Sequence, residues 1–500
     1  MITELDWLKK WAEYSADSTA LISGDTDEKL SYQNLYHRAC AGADFLLQQH
    51  QIQPGDRVLL YATNEISSLI LFFSCARLGA TLVPINHRLA QREINYLIND
   101  AKPKIIIYEK QFLDNLINLQ NEIDVPQGRW VDLESDFTRA TLKSVRFPTQ
   151  FKSEEETIAL IIYTSGTTGF PKGAMISHRA LFWNSINTGL RLNIVSTDAA
   201  VIFLPLFHTG GWNVLTTPFL HHGACIILTK KFDADQVLKL SDQYNCSLLF
   251  GVPTTMKMMS VSKLFDHSKL SSIRYAIVGG EPMPINEIEA WQNKKIPIRQ
   301  GYGLTEFGPN VFSLNETDSI RKKGSIGFPN FYLKTKVVND LGKDCESNEV
   351  GELWLKGPMM MSGYWNNAKA TADTMSDEWL KTGDLVSFDD ENYFYVKGRK
   401  KEMYKSGGEN IYPAEIEKII LEIPWINEVA VIGVTDPTWG EVGHAFVSVK
   451  NGFAFDQNEI ENYCKKQLAK FKVPRFFTAL SDLPKGDSGK ILKKNLSAPL

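Results

Sequence analysis

The stretch Tyr163-Thr164-Ser165-Gly166-Thr167-Thr168-Gly169-Phe170-Pro171-Lys172-Gly173 decides how this chain is read. Before it runs Thr157-Ile158-Ala159-Leu160-Ile161-Ile162, a β-branched apolar segment that reads as a buried strand. The strand empties into hydroxyl and glycine positions, then a proline and a lysine. Small residues let backbone N–H groups close around a bulky anion, hydroxyls add neutral donors, and Lys172 adds a point charge. The stretch therefore reads as a grip on phosphate oxygens. It is not a Walker A loop, which needs Gly, four residues and then Gly-Lys-Ser/Thr; here Lys172 follows a proline and precedes Gly173. A flexible surface loop is the plain alternative for such composition. Its place directly after a buried strand argues against that.

Working outward, a chain of 500 residues allows about two to four domains and a large core. With 43% hydrophobic and 22% charged residues, the composition is ordinary globular. A net charge of -4 gives no electrostatic case for a nucleic-acid partner. The six cysteines (Cys40, Cys75, Cys225, Cys246, Cys345, Cys464) lie far apart, without metal-ligand or redox spacing, and read as buried reduced thiols. The N-terminal Met1-Ile2-Thr3-Glu4-Leu5-Asp6-Trp7 carries acids where a signal peptide needs bases. A cytoplasmic protein is expected. The most apolar run, 69–85, contains Arg77 and Gly79 and reads as a buried helix followed by a strand, not a membrane span.

The first half alternates the two periodicities. Helical spacing over 31–49, 65–78 and 91–101 is interleaved with strand-like segments at 57–61, 81–85 and 104–108. This βαβ rhythm predicts parallel sheets covered by helices. The polar segment 111–156 predicts an unpatterned connection. Further strands are expected at 201–204, 224–228, 247–250 and 273–278, and a β-rich, turn-rich stretch over 324–356. A boundary is expected near Gly398-Arg399-Lys400-Lys401. Beyond it a helix over 413–423, strands at 429–434 and 445–449, and a helix over 457–470 capped by Asp456 make a small α+β unit of about 100 residues. The fold class is thus α/β: a large N-terminal domain of helix-covered sheets with a β-rich subdomain, residues 1–397, and a small mobile α+β domain, 398–500.

Five further patches carry polar or small residues in suggestive order. Pro205-Leu206-Phe207-His208-Thr209-Gly210-Gly211-Trp212 sets a histidine among glycines and an indole. Gly301-Tyr302-Gly303-Leu304-Thr305-Glu306 combines room for a flat ligand with a carboxylate able to hold Mg²⁺ beside substrate phosphates. Thr382-Gly383-Asp384 ends in an acid able to accept from ribose hydroxyls, and Arg399 could meet the same sugar or a phosphate. Lys485-Gly486-Asp487-Ser488-Gly489-Lys490 is a glycine-rich turn with two lysines. Taken singly, each admits a structural reading: a core histidine, a tight turn, an Asx-turn, a solvated linker arginine, a basic tail. No Gly-x-Ser-x-Gly elbow, His-Glu-x-x-His or Cys cluster is present, so serine-hydrolase and zinc-enzyme readings are poor.

Together, in this order, the patches resemble the acyl-adenylate-forming (AMP-binding) superfamily, in its acyl-CoA synthetase branch. The resemblance runs from about Leu78-Gly79-Ala80 to Lys490. It implies a two-step ligase using ATP, Mg²⁺ and CoA. A carboxylate attacks the α-phosphate of ATP, releasing pyrophosphate, and a thiol then displaces AMP from the acyl-adenylate. By that likeness Thr164, Ser165, Gly166, Thr167, Thr168 and Gly169 wrap the β- and γ-phosphates beside Lys172. Thr305 meets the α-phosphate, and Glu306 holds the metal. Gly279, Gly280, Gly301 and Tyr302 surround the adenine and the acyl group. Asp384 and Arg399 take the ribose. Lys490 bridges carboxylate and α-phosphate, and His208 gates the acyl site. Lys401 matches the hinge about which the C-terminal domain swings, bringing Lys405, Gly407 and Gly408 to the pantetheine channel.

No acid lies in 207–213 to pair a substrate ammonium, so amino acids are disfavoured. No carrier domain follows Lys490 in this sequence, so free CoA is the expected thiol. Gly301 and Gly303 are expected to leave room in the acyl pocket, with Trp212, Val252 and Phe307 as apolar walls. The reading leans to a fatty acyl substrate. The alternatives are an aryl-acid CoA ligase such as an o-succinylbenzoate-CoA ligase, a ligase that loads a carrier protein, and an inactive nucleotide-binding scaffold. A homodimer is left open.

Overall fold

The Ile158–Thr164 strand forms and lies inside a seven-stranded sheet. Its order is Gly363–Tyr364, Lys172–Ser177, Ile158–Thr164, Thr81–Pro84, Arg57–Tyr61, Ile105–Tyr108, Trp130–Asp132. The computed structural model describes residues 2, 4–143, 149–164, 171–281, 283–406, 409–486 and 491–496. The five strands from Ile158–Thr164 to Trp130–Asp132 are parallel, as the βαβ rhythm predicts. Lys172–Ser177 runs antiparallel to Ile158–Thr164, so the two strands that flank the phosphate-type stretch pair with each other.

Local chemistry sets the helix ends. Ser31 caps Tyr32–His50 by accepting from Asn34 N at 3.2 Å. Ile66–Leu78 is buried along its whole length, and Gly79 ends it at φ +69°, a conformation that favours glycine. The apolar run is therefore the buried helix and strand expected of it. Among the described residues no helix is long and apolar enough to cross a membrane.

Segment 111–156 departs from expectation. It contains the helix Leu113–Leu119 and the strand Trp130–Asp132, which edges the large sheet. A three-residue strand paired on one side offers too few positions for periodicity to register. The cysteines are all reduced, but Cys225 and Cys345 are only half-buried.

Two more sheets complete the first unit, Met1–Lys334 with Leu355–Leu380. One has the order Lys29–Ser31, Thr19–Ser23, Cys225–Leu228, Ala199–Ile202. The other runs Leu248–Gly251, Tyr275–Val278, Ile298–Leu304, Gly308–Ser313, Phe328–Pro329. Its first three strands are parallel, so their carboxyl ends open on one side, the usual place for a ligand in such sheets.

The second unit comprises Thr335–Trp354 and Lys381–Leu500. Phe394–Arg399 pairs antiparallel with Trp379–Phe388. A further sheet has the order Glu409–Ile411, Tyr404–Ser406, Gly440–Val449, Ile426–Asp436, with Phe476–Ala479 parallel to Gly440–Val449. The helix Pro413–Ile420 buries Ile416 and Ile420 with Ile423, Val431, Val447 and Ile460. Asp456 caps Gln457–Gln467 as expected, accepting from Glu459 N at 3.1 Å.

Candidate active site

That strand pair fixes both ends of the opening stretch. Thr164 and Lys172 are register partners, and Thr164 Oγ1 donates to the Lys172 carbonyl at 3.4 Å. Tyr163 donates its hydroxyl to Asp100 Oδ2 at 2.6 Å. Burial, reinforced by that carboxylate, pushes the Tyr163 phenol well above its ordinary range, so it remains a donor. Tyr96 donates to the Pro171 carbonyl at 3.3 Å, and Trp365 N to the Gly173 carbonyl at 2.7 Å. A side chain at Gly173 would begin 2.6 Å from Ile161 Cγ2, so glycine is needed for the close strand pair. Ser165, Gly166, Thr167, Thr168 and Gly169 lie outside the described residues.

A second strand pair brings the carboxylate. Gly301 and Tyr302 lie on Ile298–Leu304, opposite Ser313 and Phe312, and Thr305 and Glu306 form the turn that follows. Glu306 is half-buried and accepts at Oε1 from the Tyr364 hydroxyl at 2.8 Å. Lys172 Nζ lies 5.2 Å from the centre of the same tyrosine ring. Tyr364 thus ties the loop lysine to the turn carboxylate. Among the described residues no group of three or more His, Cys, Asp or Glu could hold a metal. A lone carboxylate fits an ion whose remaining ligands are phosphate oxygens and water, the usual habit of Mg²⁺.

His208 follows the Ala199–Ile202 strand, its carbonyl accepting from Gly211 N at 3.0 Å. Gly279 and Gly280 follow Tyr275–Val278, and Gly279 N donates to the Gly251 carbonyl at 3.3 Å. Three expectations about the pocket need correction. Trp212 and Phe307 have no accessible surface and are core residues, not walls. Gly303 leaves no room, because a side chain there would strike the Pro309 backbone.

The other candidates belong to the second unit. Asp384 and Arg399 face each other across Trp379–Phe388 and Phe394–Arg399, with Arg399 Nε 2.9 Å from Asp384 Oδ1. Arg399 also donates to the Thr382 carbonyl at 3.1 Å. Lys401 lies in the exposed turn that follows, and Lys405 is exposed on Tyr404–Ser406. Gly407, Gly408 and Lys490 lie outside the described residues. Described residues before and after Lys490 make long-range contacts. Lys485 bridges Ile491 in antiparallel fashion and pairs with Glu428 at 2.7 Å. Lys493 reaches Glu402 and Glu417, each at 2.8 Å. Burial lowers the Lys493 ammonium, but Glu417 and Glu402 outweigh it and hold it above its ordinary range.

Sequence reasoning missed Tyr364. Gly363-Tyr364-Trp365 was a legible signal, a small residue before two rings with polar tips, but nothing local ties it to Glu306, 58 positions away. Phe250 was read only as a strand residue.

Residues 8–365 match the AMP-binding enzyme family, and residues 415–490 match the AMP-binding enzyme C-terminal domain. The chain is 34% identical over 489 residues to a feruloyl-CoA synthase of an Amycolatopsis species, covering 97% of each protein. It is also 34% identical over 491 residues to a long-chain-fatty-acid–CoA ligase of Mycobacterium tuberculosis, covering 97% of this chain and 96% of that protein. Its fold matches that of the o-succinylbenzoate-CoA synthetase of Bacillus subtilis in complex with its acyl-adenylate intermediate. The TM-score is 0.90 at 28% identity, covering 100% of this chain and 99% of the other.

Proposed function

The chain belongs to the AMP-binding enzyme family, and from that premise we propose how its residues divide the work of the reaction. It is an AMP-forming acid–CoA ligase whose reaction takes ATP, Mg²⁺ and CoA. The observation that carries the assignment of residues is the Lys172–Tyr364–Glu306 linkage, which joins two separate strand pairs at one tyrosine.

In the adenylating step little covalent protein chemistry is needed; positioning and charge compensation around phosphorus dominate. Thr164 to Gly169 and Lys172 hold the β- and γ-phosphates. Thr305 meets the α-phosphate. Glu306 holds Mg²⁺, which when bound neutralises charge on the phosphate oxygens. Gly279, Gly280, Gly301 and Tyr302 flank the adenine and the acyl group, and His208 stands at the acyl entrance. Asp384 accepts from the ribose hydroxyls, oriented by Arg399. Lys490 bridges the acid and the α-phosphate.

The thiol step requires Lys490 to leave. We place the domain boundary at 398 and the hinge at Lys401. On that reading Lys405, Gly407 and Gly408 line the path of the CoA thiol after the swing. A cytoplasmic enzyme is the compartment we propose, and a homodimer is the assembly to test for.

The test is pyrophosphate release from ATP with a panel of alkyl and aryl acids, followed by thioester formation on adding CoA. No turnover across the panel sinks the ligase reading. Pyrophosphate release without a CoA thioester shifts the thiol to a carrier protein.

A further inference from the structure

The glycines around the carboxyl ends of Leu248–Gly251, Tyr275–Val278 and Ile298–Leu304 fall into two kinds. At Gly211 a side chain would strike the Pro205 carbonyl, and at Gly303 the Pro309 backbone. Those glycines are required by the packing of one backbone on another. At Gly210 the nearest atoms to an added Cβ are those of the Phe250 ring, at 3.8 and 3.9 Å. At Gly279 they are the Gly301 carbonyl at 3.5 Å and the Phe250 ring at 3.8 Å. At Gly301 nothing comes closer than 3.8 Å. Ordinary contact distances mean that the fold would accept alanine at these three positions. Their lack of side chains leaves space and satisfies no packing constraint.

The common neighbour of Gly210 and Gly279 is one ring. Phe250 stands at the carboxyl end of its strand, opposite Ile277, and is 8% exposed. It belongs to the same buried cluster as Leu248, Tyr275 and Ile277. The space beside the glycines is therefore bounded by the Phe250 ring, which is backed by core. A planar ring can lie against it in offset or edge-to-face contact. A long alkyl chain makes no such ring-to-ring contact with Phe250.

We infer that Phe250 is the specificity-determining residue of the acyl site and that the acid is a planar aromatic carboxylate in preference to a long alkyl one. This deepens the ligase reading above and rests on it. It turns the choice left open by the sequence, fatty acyl against aryl, toward the aryl side.

The experiment measures kcat/KM by pyrophosphate release for phenylacetate, cinnamate, octanoate and palmitate. The proteins compared are the full-length wild type, Phe250→Ala, Phe250→Leu and Gly210→Ala. The wild type should favour the two aryl acids over palmitate by at least about tenfold, the discrimination an apolar pocket gives to a group that does not fit. Phe250→Ala should raise the palmitate-to-cinnamate ratio by about tenfold or more. Phe250→Leu, which keeps the core filled, should move the ratio the same way by less. Gly210→Ala should raise KM for cinnamate severalfold while the melting temperature stays within about 2 °C. A wild type that prefers palmitate overturns the inference. So does an unchanged ratio in a folded Phe250→Leu. Absence of turnover with any acid in the wild type overturns the ligase reading and this inference with it. Turnover without a shift in ratio overturns only the role of Phe250.

Discussion

Tyr364 donates its hydroxyl to Glu306 Oε1 at 2.8 Å, while Lys172 Nζ stands 5.2 Å from the centre of the same ring. One side chain therefore orients the carboxylate assigned to the metal and packs against the lysine assigned to phosphate. A hydrogen bond to a charged group contributes about 1.5–3 kcal/mol. Tyr364→Phe keeps the ring and removes the hydroxyl that makes that bond. The expected outcome is about a tenfold or greater rise in the Mg²⁺ concentration needed for half-maximal pyrophosphate release, with little change in melting temperature. An unaltered Mg²⁺ dependence would refute the orienting role.

Asp384 is 5% exposed and paired with Arg399 at 2.9 Å. Asp384→Asn removes the negative charge and one of the two acceptor oxygens proposed for the ribose hydroxyls, while Arg399 keeps its bond to the Thr382 carbonyl. KM for ATP should rise about tenfold or more, since a hydrogen bond to a charged group is lost, and KM for the acid should hardly move. Parallel rises in both constants would point to a general structural defect.

Lys493 is held between Glu402 and Glu417, and Glu417 Oε1 also accepts from Val431 N at 2.7 Å. Lys493→Met would leave a buried carboxylate without its cation. Breaking such a pair costs about 3–5 kcal/mol when fully buried, so urea unfolding should show a loss at or below the low end. Lys493→Arg should recover most of it. Equal stability of the Met variant would show that the triad holds nothing in place.

Lys490→Ala and Lys401→Pro should separate the two half-reactions. The first should abolish pyrophosphate release yet largely spare thioester formation from supplied acyl-AMP. The second should spare pyrophosphate release and block the thioester. Equal losses in both steps, for either variant, contradict the assigned roles.

Burial holds the His178 imidazole at about 4 and, with His222 adding repulsion, that of His221 at about 3. The unfolded chain binds protons at these sites below about pH 6.5, where the folded chain does not. Stability contributed by the neutral rings is therefore present above 6.5 and is lost as pH falls toward 4. The loss is about 1.4 kcal/mol per pH unit for each ring. Melting temperature measured from pH 7 to 5 should fall, and His178→Phe should flatten that slope. A slope unchanged by the substitution would count against the assignment.

Apolar runs were enough to place Arg57–Tyr61, Ile66–Leu78 and Thr81–Pro84, which are buried nearly throughout, and 3.6 spacing was enough to place Gln91–Ala101, which buries one face. Trp130–Asp132 escaped because three residues carry no period. The antiparallel return of Lys172–Ser177 escaped because the loop's composition drew the reading away from the strand after it. Pocket walls were misread for a related reason. An indole or a phenyl in sequence is apolar wherever it lies, and only packing decides that Trp212 and Phe307 are sealed in the core.

The order of the motifs, from Tyr163 to Lys490, determined the family and the reaction, since phosphate chemistry constrains residue type and spacing along the chain. Tertiary structure alone joined Lys172 to Glu306 through Tyr364 and made Phe250 the neighbour of Gly210 and Gly279. Those relations are set by which strand lies beside which, and by how much space a missing side chain leaves, neither of which is written in any local run of residues.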